Sequence, residues 1–300
     1  QNRVNVQAHG LFGPDDYMEL EDVKSLLDNP DCEIQSRLVE GADGFHLRVY
    51  SFFPHHDSGA VPVAFIPGWT SVMDGWAPLL AEWANTRVIH YIETREKRSA
   101  NIGRRIRKDD FQMDRHVEDL RIITDALGLG SDVLWFGSSL GATVILHGLQ
   151  EGALDGKGAF LVAPNSEFRF STWQIPFVAA PWWCYPPLIR LFGLPYLKWR
   201  LKEPKQYIRY RRTLTQAHLP RLKKSVQANR RYALPTDLSV VNIPVAICVA
   251  ASDTLHTGDD SHSIADSLPN GEVVEVPSNQ YAHEGDLIPD VNAWEAKSCD

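Results

Sequence analysis

From residue 45 onward, apolar runs of strand length alternate with stretches whose apolar residues recur at helical spacing. Residues 45–53 alternate between apolar and polar side chains, which is typical of a strand with one exposed face. Residues 61–66 are nearly all apolar, which suits a strand buried on both faces of a parallel sheet. Similar apolar runs occupy residues 87–92, 132–136, 158–163, 245–250 and 272–276. The alternation predicts an α/β protein whose mostly parallel sheet is covered by helices on both faces.

One stretch interrupts this rhythm, because residues 166–238 contain no convincing strand. Its first part is rich in Trp and Pro; its second is basic, with twelve Lys or Arg and one acid between residues 198 and 231. An insert of this length between two strands predicts a helical lid, which we call the cap segment. The sequence thus divides into an N-terminal extension (1–44), a core (45–165 and 239–300) and the cap segment (166–238).

The composition limits the classes of protein to which the chain can belong. The 300 residues include 44% apolar and 23% charged side chains, which argues against wholesale disorder. No window of eighteen apolar residues occurs, so we expect a soluble chain without a membrane span. The four cysteines lie far apart, and neither a metal nor an organic cofactor is implied. The first ten residues lack a signal-peptide pattern; the compartment stays open, with the cytoplasm favoured, and so does the oligomeric state.

The central chemical signal is Gly-Ser-Ser-Leu-Gly at residues 137–141, a Gly-x-Ser-x-Gly pattern centred on Ser139. The bare pattern is weak, but here a buried strand ends at its first glycine and a helix follows its serine. A side chain at either flanking glycine would clash in so sharp a turn. The turn lifts the serine oxygen clear of the sheet, which makes Ser139 the predicted nucleophile.

A serine needs a base to take its proton and a third group to orient that base. Asp253 lies three residues beyond the run 245–250, and His283 follows the run 272–276. Both would sit at carboxyl ends of strands, and the order Ser139, Asp253, His283 is the one this arrangement requires. Each has an ordinary alternative, a turn cap for Asp253 and a surface side chain for His283. The less favoured rivals are Glu167, Asp259 and Asp260 as the acid and His256 as the base.

A tetrahedral intermediate needs backbone donors for its oxyanion. We predict the N–H of Leu140, which follows the nucleophile and opens the next helix, as one donor. The second is predicted to be the N–H of Trp69, in the loop after the run 61–66. Gly68 in that loop would let the backbone approach the substrate closely.

These motifs resemble the α/β-hydrolase superfamily, over about residues 45–297. Pro-Gly-Trp at residues 67–69 stands where many members have His-Gly-x. Glu-x-Arg at residues 93–95, followed by Ser99, stands where many have Asp-x-Arg-Gly-x-Gly-x-Ser. Two further segments resemble those that carry the catalytic acid and the catalytic histidine, residues 243–253 and 279–284.

The resemblance implies an eight-stranded, mostly parallel sheet with a helical cap inserted between the sixth and seventh strands. It also implies an esterase or lipase that forms an acyl-serine intermediate with a Ser-His-Asp triad. The same triad serves thioester, lactone and C–C bond hydrolysis or acyl transfer in relatives, and a non-catalytic binding module is a further alternative. The loops around the site depart from the family, because Pro67 replaces its histidine and Glu96 and Arg98 replace its glycines.

Four aromatic residues of the cap segment are candidates for lining a pocket for a small, apolar acyl substrate: Trp173, Phe177, Trp182 and Trp183. Two alternatives stay open for them. They would otherwise pack the cap segment onto the core, or contact a lipid or other anionic surface together with the neighbouring basic residues. No recognised nucleic-acid-binding motif accompanies the basic run, so no nucleic-acid partner is expected.

Overall fold

The computed structural model describes residues 18–168, 179–201, 203–251 and 258–299. The strands of this part are β1 (Cys32–Glu40), β2 (Phe45–Pro54), β3 (Val63–Ile66), β4 (Ile89–Ile92), β5 (Asn101–Ile102), β6 (Leu134–Ser138), β7 (Gly158–Val162), β8 (Val245–Ala250) and β9 (Gly271–Val276). Its α-helices are α1 (Leu20–Leu26), α2 (Ala77–Trp83), α3 (Met113–Leu127), α4 (Leu140–Gln150), α5 (Tyr185–Leu188), α6 (Leu194–Arg200), α7 (Pro204–Gln216), α8 (Leu219–Asn229), α9 (Gly258–Asp266) and α10 (Ile288–Ser298).

All these strands belong to one sheet. Its order is β1-β2-β4-β3-β6-β7-β8-β9, and β5 pairs with β2. β2 runs antiparallel to β1, β4 and β5, whereas every pair from β4 across to β9 is parallel. The α/β class and the mostly parallel sheet predicted from the sequence are therefore confirmed. Because the parallel strands share one direction, the loops after β3, β6, β7 and β9 all leave the same edge of the sheet.

Strand β6 illustrates why the apolar runs are nearly continuous. Leu134 and Phe136 point into the core on one face of the sheet, and Trp135 points into the core on the other. Phe136 stacks between Phe65 and Phe160, with ring centroids 4.6 and 5.9 Å away. A strand that is buried on both faces has no position for a polar side chain, so its sequence shows no alternation.

The sheet extends closer to the N-terminus than the sequence predicts. β1 pairs with β2 along its whole length, from Cys32 opposite Pro54 to Glu40 opposite His46. The predicted boundary at residue 44 therefore cuts through the sheet, which begins at Cys32. This edge strand buries only part of one face, and exposed Leu38 breaks its alternation, so the sequence pattern was too weak to reveal it.

Helices and turns make up most of the described cap segment. A π-helical turn, Ile189–Gly193, joins α5 to α6, and the isolated backbone bridge between Glu167 and Ala233 ties the two ends of the segment together. Helix α8 holds the segment to the core. Its Asn229 side chain donates to the backbone oxygen of Phe111 at 2.7 Å, and its Arg221 guanidinium donates to the backbone oxygen of Lys97.

Helix α3 carries a histidine into the core. His116 is 1% exposed, and neither of its ring nitrogens has a hydrogen-bond partner within the described ranges. Burial lowers the pKa of His116 to about 4, although the nearby Glu96 carboxylate opposes that shift. The folded protein therefore holds a neutral imidazole, and protonation of His116 favours unfolding.

We expect this burial to lower the free energy of unfolding as the pH falls from about 6.5, the ordinary histidine pKa, toward about 4. In that window the unfolded chain binds a proton that the folded chain does not, which costs about 1.4 kcal/mol per pH unit. His116→Leu should make the slope shallower by about one proton in urea unfolding across the window. The control Val240→Ala, at an exposed apolar position, removes no titrating group and should keep the wild-type slope. Equal slopes for His116→Leu and wild type would contradict the assignment.

Candidate active site

Ser139 occupies the turn between β6 and α4. Its backbone has φ 49° and ψ −113°, a combination that side chains rarely allow. Strain of this kind costs about 1–3 kcal/mol and persists only where the surrounding structure holds it. The geometry is the one that the Gly-x-Ser-x-Gly motif predicts, with the serine raised at a sharp strand-to-helix turn.

The two glycines of the motif stand where no side chain fits. A Cβ on Gly141 would lie 2.1 Å from the carbonyl oxygen of Ile66, at the end of β3. A Cβ on Gly137 would lie 2.7 Å from the backbone nitrogen of Ala142, in α4. Both neighbours are backbone atoms of buried elements, so neither can move aside. The packing of β3 and β6 against α4 therefore requires glycine at both positions.

Hydrogen bonds fix the Ser139 turn on several sides. The N–H of Ser139 donates to the backbone oxygen of Val162, on β7, at 2.9 Å. Its carbonyl accepts from the N–H and the hydroxyl of Thr143, at 2.9 and 3.0 Å. The side-chain amide of Asn165 donates to the Ser139 hydroxyl oxygen at 3.3 Å. An amide from the loop after β7 thus contacts the predicted nucleophilic atom itself.

His283 ends a 3-10 turn, Tyr281–His283, in the loop after β9. Its Nδ1 lies 2.8 Å from the backbone oxygen of Asn279. Because a carbonyl only accepts, this contact assigns the proton of the neutral ring to Nδ1 and leaves Nε2 free of a proton, as a general base requires. The ring lies nearly flat on the indole of Trp76, with centroids 3.9 Å apart and planes inclined by 19°.

The cap segment holds the loop that carries His283. The guanidinium of Arg209, on α7, donates to the side-chain oxygens of Asn279 and Gln280. The carboxylate of Glu203, which precedes α7, accepts the N–H groups of the same two residues at 3.2 and 3.0 Å. Asn279 is therefore held through both its side chain and its backbone, and its carbonyl in turn holds the imidazole.

Ser139 and His283 line the same cavity, which has a volume of about 250 Å³. The loop after β3 forms one part of its wall, through Gly68 and Trp69. The cap segment forms another part, through three side chains of α7, Arg209, Tyr210 and Thr213. The fold therefore brings two of the three predicted triad residues to one cavity.

The predicted oxyanion donors both lie next to the serine. Leu140 is the first residue of α4, where the N–H has no acceptor inside the helix. Trp69 lies in the loop after β3, and a Cβ on the preceding Gly68 would be 3.4 Å from the Cβ of Ser139. The backbone of this loop thus passes directly against the serine, as a close approach to a substrate requires.

A buried ionic pair, Glu96 with Lys97, supports that loop. The ammonium of Lys97 donates to the backbone oxygens of Gly68, at 2.6 Å, and of Ser71, at 2.9 Å. The carboxylate of Glu96 accepts the N–H of Thr70 at 3.2 Å, and it lies 3.5 Å from Lys97 Nζ. Three residues of the loop, Gly68, Thr70 and Ser71, are therefore held by one pair of charges.

Burial and charge act against each other in this pair. Burial lowers the pKa of Lys97, and the carboxylates of Glu96 and Glu93 oppose that shift. Burial by itself would raise the pKa of Glu96, but the Lys97 ammonium and other contacts outweigh it, so the net shift is downward. The carboxylate of Glu96 is therefore ionised at neutral pH, where it accepts the loop N–H.

The described residues do not include the predicted acid Asp253, the rival base His256 or the side chain of the rival acid Asp259. Asp260, one of the rival acids, is described. Its carboxylate accepts the N–H of Ser166 at 3.2 Å and the hydroxyl of the same residue, so it anchors the loop after β7. Glu167, another rival, takes part in the backbone bridge at the base of the cap segment.

None of the four aromatic residues predicted to line the substrate pocket is found in the lining of the cavity around Ser139 in the described part of the chain. Trp173 and Phe177 lie outside the described residues. Trp182 and Trp183 are not part of the lining of the cavity around Ser139, and both are largely exposed to solvent. The structure thus places these two tryptophans on the surface of the cap segment, while α7 lines the cavity instead.

Sequence reasoning missed four residues that contact the site, namely Trp76, Asn165, Arg209 and Asn279. Asn165 and Asn279 each follow a strand by three residues, so the rule that selected Asp253 and His283 would have found them. Trp76 and Arg209 carry no such signal, because ring stacking and a contact between the cap segment and the core are decided by tertiary packing.

One group in the described ranges has the spacing of metal ligands. Side-chain atoms of Asp114, His147 and Glu151 lie within 4.8 Å of one another. His147 also forms hydrogen bonds at 3.1 Å with Asp114 and at 3.2 Å with the hydroxyl of Tyr232. None of these residues lines the cavity around Ser139, so this group is separate from the serine site.

Solved structures that resemble this chain identify its fold. No family model and no curated sequence matches the chain. A hydrolase from Pseudomonas aeruginosa PA01 is similar in structure, with a TM-score of 0.66 and 17% identity over 87% of this chain and 96% of its own. A thermophilic esterase from Thermogutta terrifontis has a TM-score of 0.69 and 14% identity over 89% of this chain and 100% of its own. The chain has the α/β-hydrolase fold.

An enol-lactonase from Burkholderia xenovorans LB400 is similar as well, with a TM-score of 0.66 and 13% identity over 87% of this chain and 97% of its own. The α/β-hydrolase fold predicted from the motifs is thereby confirmed, with nine strands in the sheet where eight were predicted. At this level of identity the similarity concerns the fold alone.

The contact between Gly141 and Ile66 yields a stability prediction. Gly141→Ala forces a methyl group against a backbone oxygen, so we expect the free energy of unfolding to fall by about 3 kcal/mol or more. Gly103→Ala is a matched control, because a Cβ there meets nothing within 4 Å, and it should stay within about 0.5 kcal/mol of wild type. Urea unfolding measures both, and similar stabilities for the two variants would contradict the steric argument.

Proposed function

We propose that the protein hydrolyses carboxylic esters through an acyl-serine intermediate on Ser139. One observation carries the proposal: a strained serine and a histidine with an anchored Nδ1 share one cavity. Structural relatives named as a hydrolase, an esterase and an enol-lactonase support hydrolytic chemistry. Ser139 acts as the nucleophile, His283 as the proton carrier and Asp253 as the acid that orients the imidazole.

In the first half-reaction, the Ser139 oxygen attacks the ester carbonyl carbon while its proton passes to Nε2 of His283. The Asn279 carbonyl retains the proton on Nδ1, and the face of Trp76 attracts the imidazolium that forms. His283 then gives its proton to the leaving alkoxide, which departs as an alcohol. The place of Asp253 in the chain, between Ser139 and His283 and after β8, supports its role beside the imidazole.

The negative oxygen of each tetrahedral intermediate needs donors that are in place before it forms. We assign this role to the N–H groups of Leu140 and Trp69. Leu140 opens α4, so the positive end of the helix dipole faces the same region. The Asn165 amide keeps the serine oxygen oriented before the attack.

In the second half-reaction, a water molecule gives a proton to His283 and attacks the acyl carbon. The bond between that carbon and the Ser139 oxygen breaks, and the serine recovers a proton from the imidazolium. The products of the full cycle are one carboxylic acid and one alcohol. No other reactant is required.

The size of the cavity, about 250 Å³, favours a small apolar acyl group. An ester and a lactone present the same acyl–oxygen bond to Ser139, and the lactonase among the structural relatives keeps a lactone substrate as an alternative. Thioester hydrolysis, C–C bond hydrolysis and acyl transfer use the same residues. A panel of substrates with varied leaving groups separates these reactions.

The proposal predicts that a fluorophosphonate probe labels Ser139, which mass spectrometry of the digested protein can locate. Ser139→Ala should abolish both labelling and hydrolysis of p-nitrophenyl esters while leaving the fold intact, because it removes a single oxygen atom. Ser263→Ala, on the exposed side of α9, is the matched control and should retain wild-type activity. Folded wild-type protein that neither takes up the probe nor hydrolyses any ester of the panel would favour a non-catalytic binding module instead.

The contacts of Glu96 and Lys97 with the loop after β3 give a second prediction. Lys97→Met alone would leave the Glu96 carboxylate buried without its partner, so the informative variant is Glu96→Gln with Lys97→Met. We expect its kcat to fall about 100-fold, the effect of misplacing a reacting group by roughly 1 Å, with little change in KM.

Steady-state kinetics with a p-nitrophenyl ester measures this split between kcat and KM, and circular dichroism verifies the fold. Lys157→Met, at a surface lysine, is the control and should behave as wild type. A wild-type kcat in the double variant would contradict a positioning role for the Lys97 pair.

A further inference from the structure

Four large apolar side chains project into solvent from a short part of the cap segment. Trp182 is 47% exposed, Trp183 66%, Leu191 65% and Trp199 80%. With Phe192, at 54%, they make up five of the eight exposed large hydrophobic residues in the described part of the chain. We call Trp182, Trp183, Leu191 and Trp199 the aromatic ridge, after the three tryptophans among them. Exposed tryptophans on this scale carry a cost in water, so their concentration in one place indicates a contact surface.

The helical geometry gives this ridge a defined face. Helix α5, the π-helical turn and helix α6 follow one another without a break from Tyr185 to Arg200. Leu191, Pro195 and Trp199 recur every four residues, so they lie on the same side, and all three are exposed. Leu197 is buried on the inner side. The exposed face is therefore an outer surface, distinct from the one that packs on the protein.

The charges around the ridge have a single sign. Arg190, Lys198 and Arg200 are exposed among its residues. Residues 179–201 contain no Asp or Glu, although the whole chain carries a net charge of −8. Exposed cations and exposed tryptophans thus occur together in this one segment of an acidic protein. No helix of the described residues is long and apolar enough to cross a membrane.

We propose that the aromatic ridge docks the protein on the surface of a bilayer that contains anionic lipid. Tryptophan prefers the level of the lipid headgroups, where its ring is apolar and its N–H meets water. Arg190 and Lys198 meet the lipid phosphates and add to the binding through charge. The same arrangement argues against a second copy of the chain, because a two-fold contact would bring these cations against their own equivalents.

The aromatic ridge is close in sequence to the helix that lines the cavity around Ser139. Helix α6 ends at Arg200, and α7, which lines the cavity around Ser139, begins at Pro204. Only residues 201–203 separate the two helices along the chain. The proposal concerns binding and does not depend on the ester chemistry proposed above.

Co-sedimentation with phosphatidylcholine vesicles, with and without phosphatidylglycerol, tests the proposal. We expect binding only to the anionic vesicles, weaker at high salt, with a blue shift of tryptophan fluorescence. Trp183→Ser with Trp199→Ser should lower the partition coefficient at least about tenfold, since each ring loses its apolar contact. Leu38→Ser with Val240→Ser removes exposed apolar residues elsewhere and should have no effect.

The charges are tested separately. Arg190→Gln with Lys198→Gln should weaken binding about fivefold for each charge removed, hence about 25-fold. Arg105→Gln with Lys108→Gln, two exposed cations outside the cap segment, is the control. Ser139→Ala should bind as well as wild type, so failure of the ester chemistry and failure of docking are distinguishable. Absence of vesicle binding, or binding unaffected by either ridge variant, would overturn the proposal. So would a ridge-dependent dimer in light scattering without vesicle binding.

Discussion

The approach of strand β3 to the first turn of α4 is the contact on which the site depends. The carbonyl oxygen of Ile66 comes so close to the α4 backbone that only a glycine fits at position 141. At the same junction the chain enters α4 through a positive φ at Ser139, which raises the serine above the sheet. The same approach brings the loop after β3 against the serine. A single backbone contact thus determines the positions of both the serine and its neighbouring loop.

The loop itself depends on charges placed beneath it. Lys97 and Glu96 hold the backbone of three of its residues, and Arg221 of α8 donates to the backbone oxygen of Lys97. A buried ion pair rarely adds much net stability, because removing both charges from water is costly. Its contribution here is to fix geometry. Since Arg221 belongs to the cap segment, the loop, the charges and the cap segment form one connected unit.

The features that could be predicted from the sequence depend on residues that are close together along the chain. Continuous apolar runs indicated the doubly buried strands, and the glycine spacing indicated the turn at Ser139, because both depend on neighbours along the chain. Features that arise from tertiary packing were missed: the edge strand β1, the stacking of His283 on Trp76, and the reach of Arg209 across the cavity. The assignment of Asp253 stays a prediction, since it lies outside the described residues.

Four hydrogen bonds join the cap segment to the loop at Asn279 and Gln280, two accepted by Glu203 and two donated by Arg209, and they affect how such a protein can diversify. If a cap only selected substrates, evolution or an engineer could exchange it as an independent cassette. Here an exchange of residues 203–216 would also remove the contacts that hold Asn279, whose carbonyl oxygen lies 2.8 Å from Nδ1 of His283. A new specificity would have to preserve both residues 203–209 and residues 279–283, because the two stretches form one structural unit despite their separation along the chain.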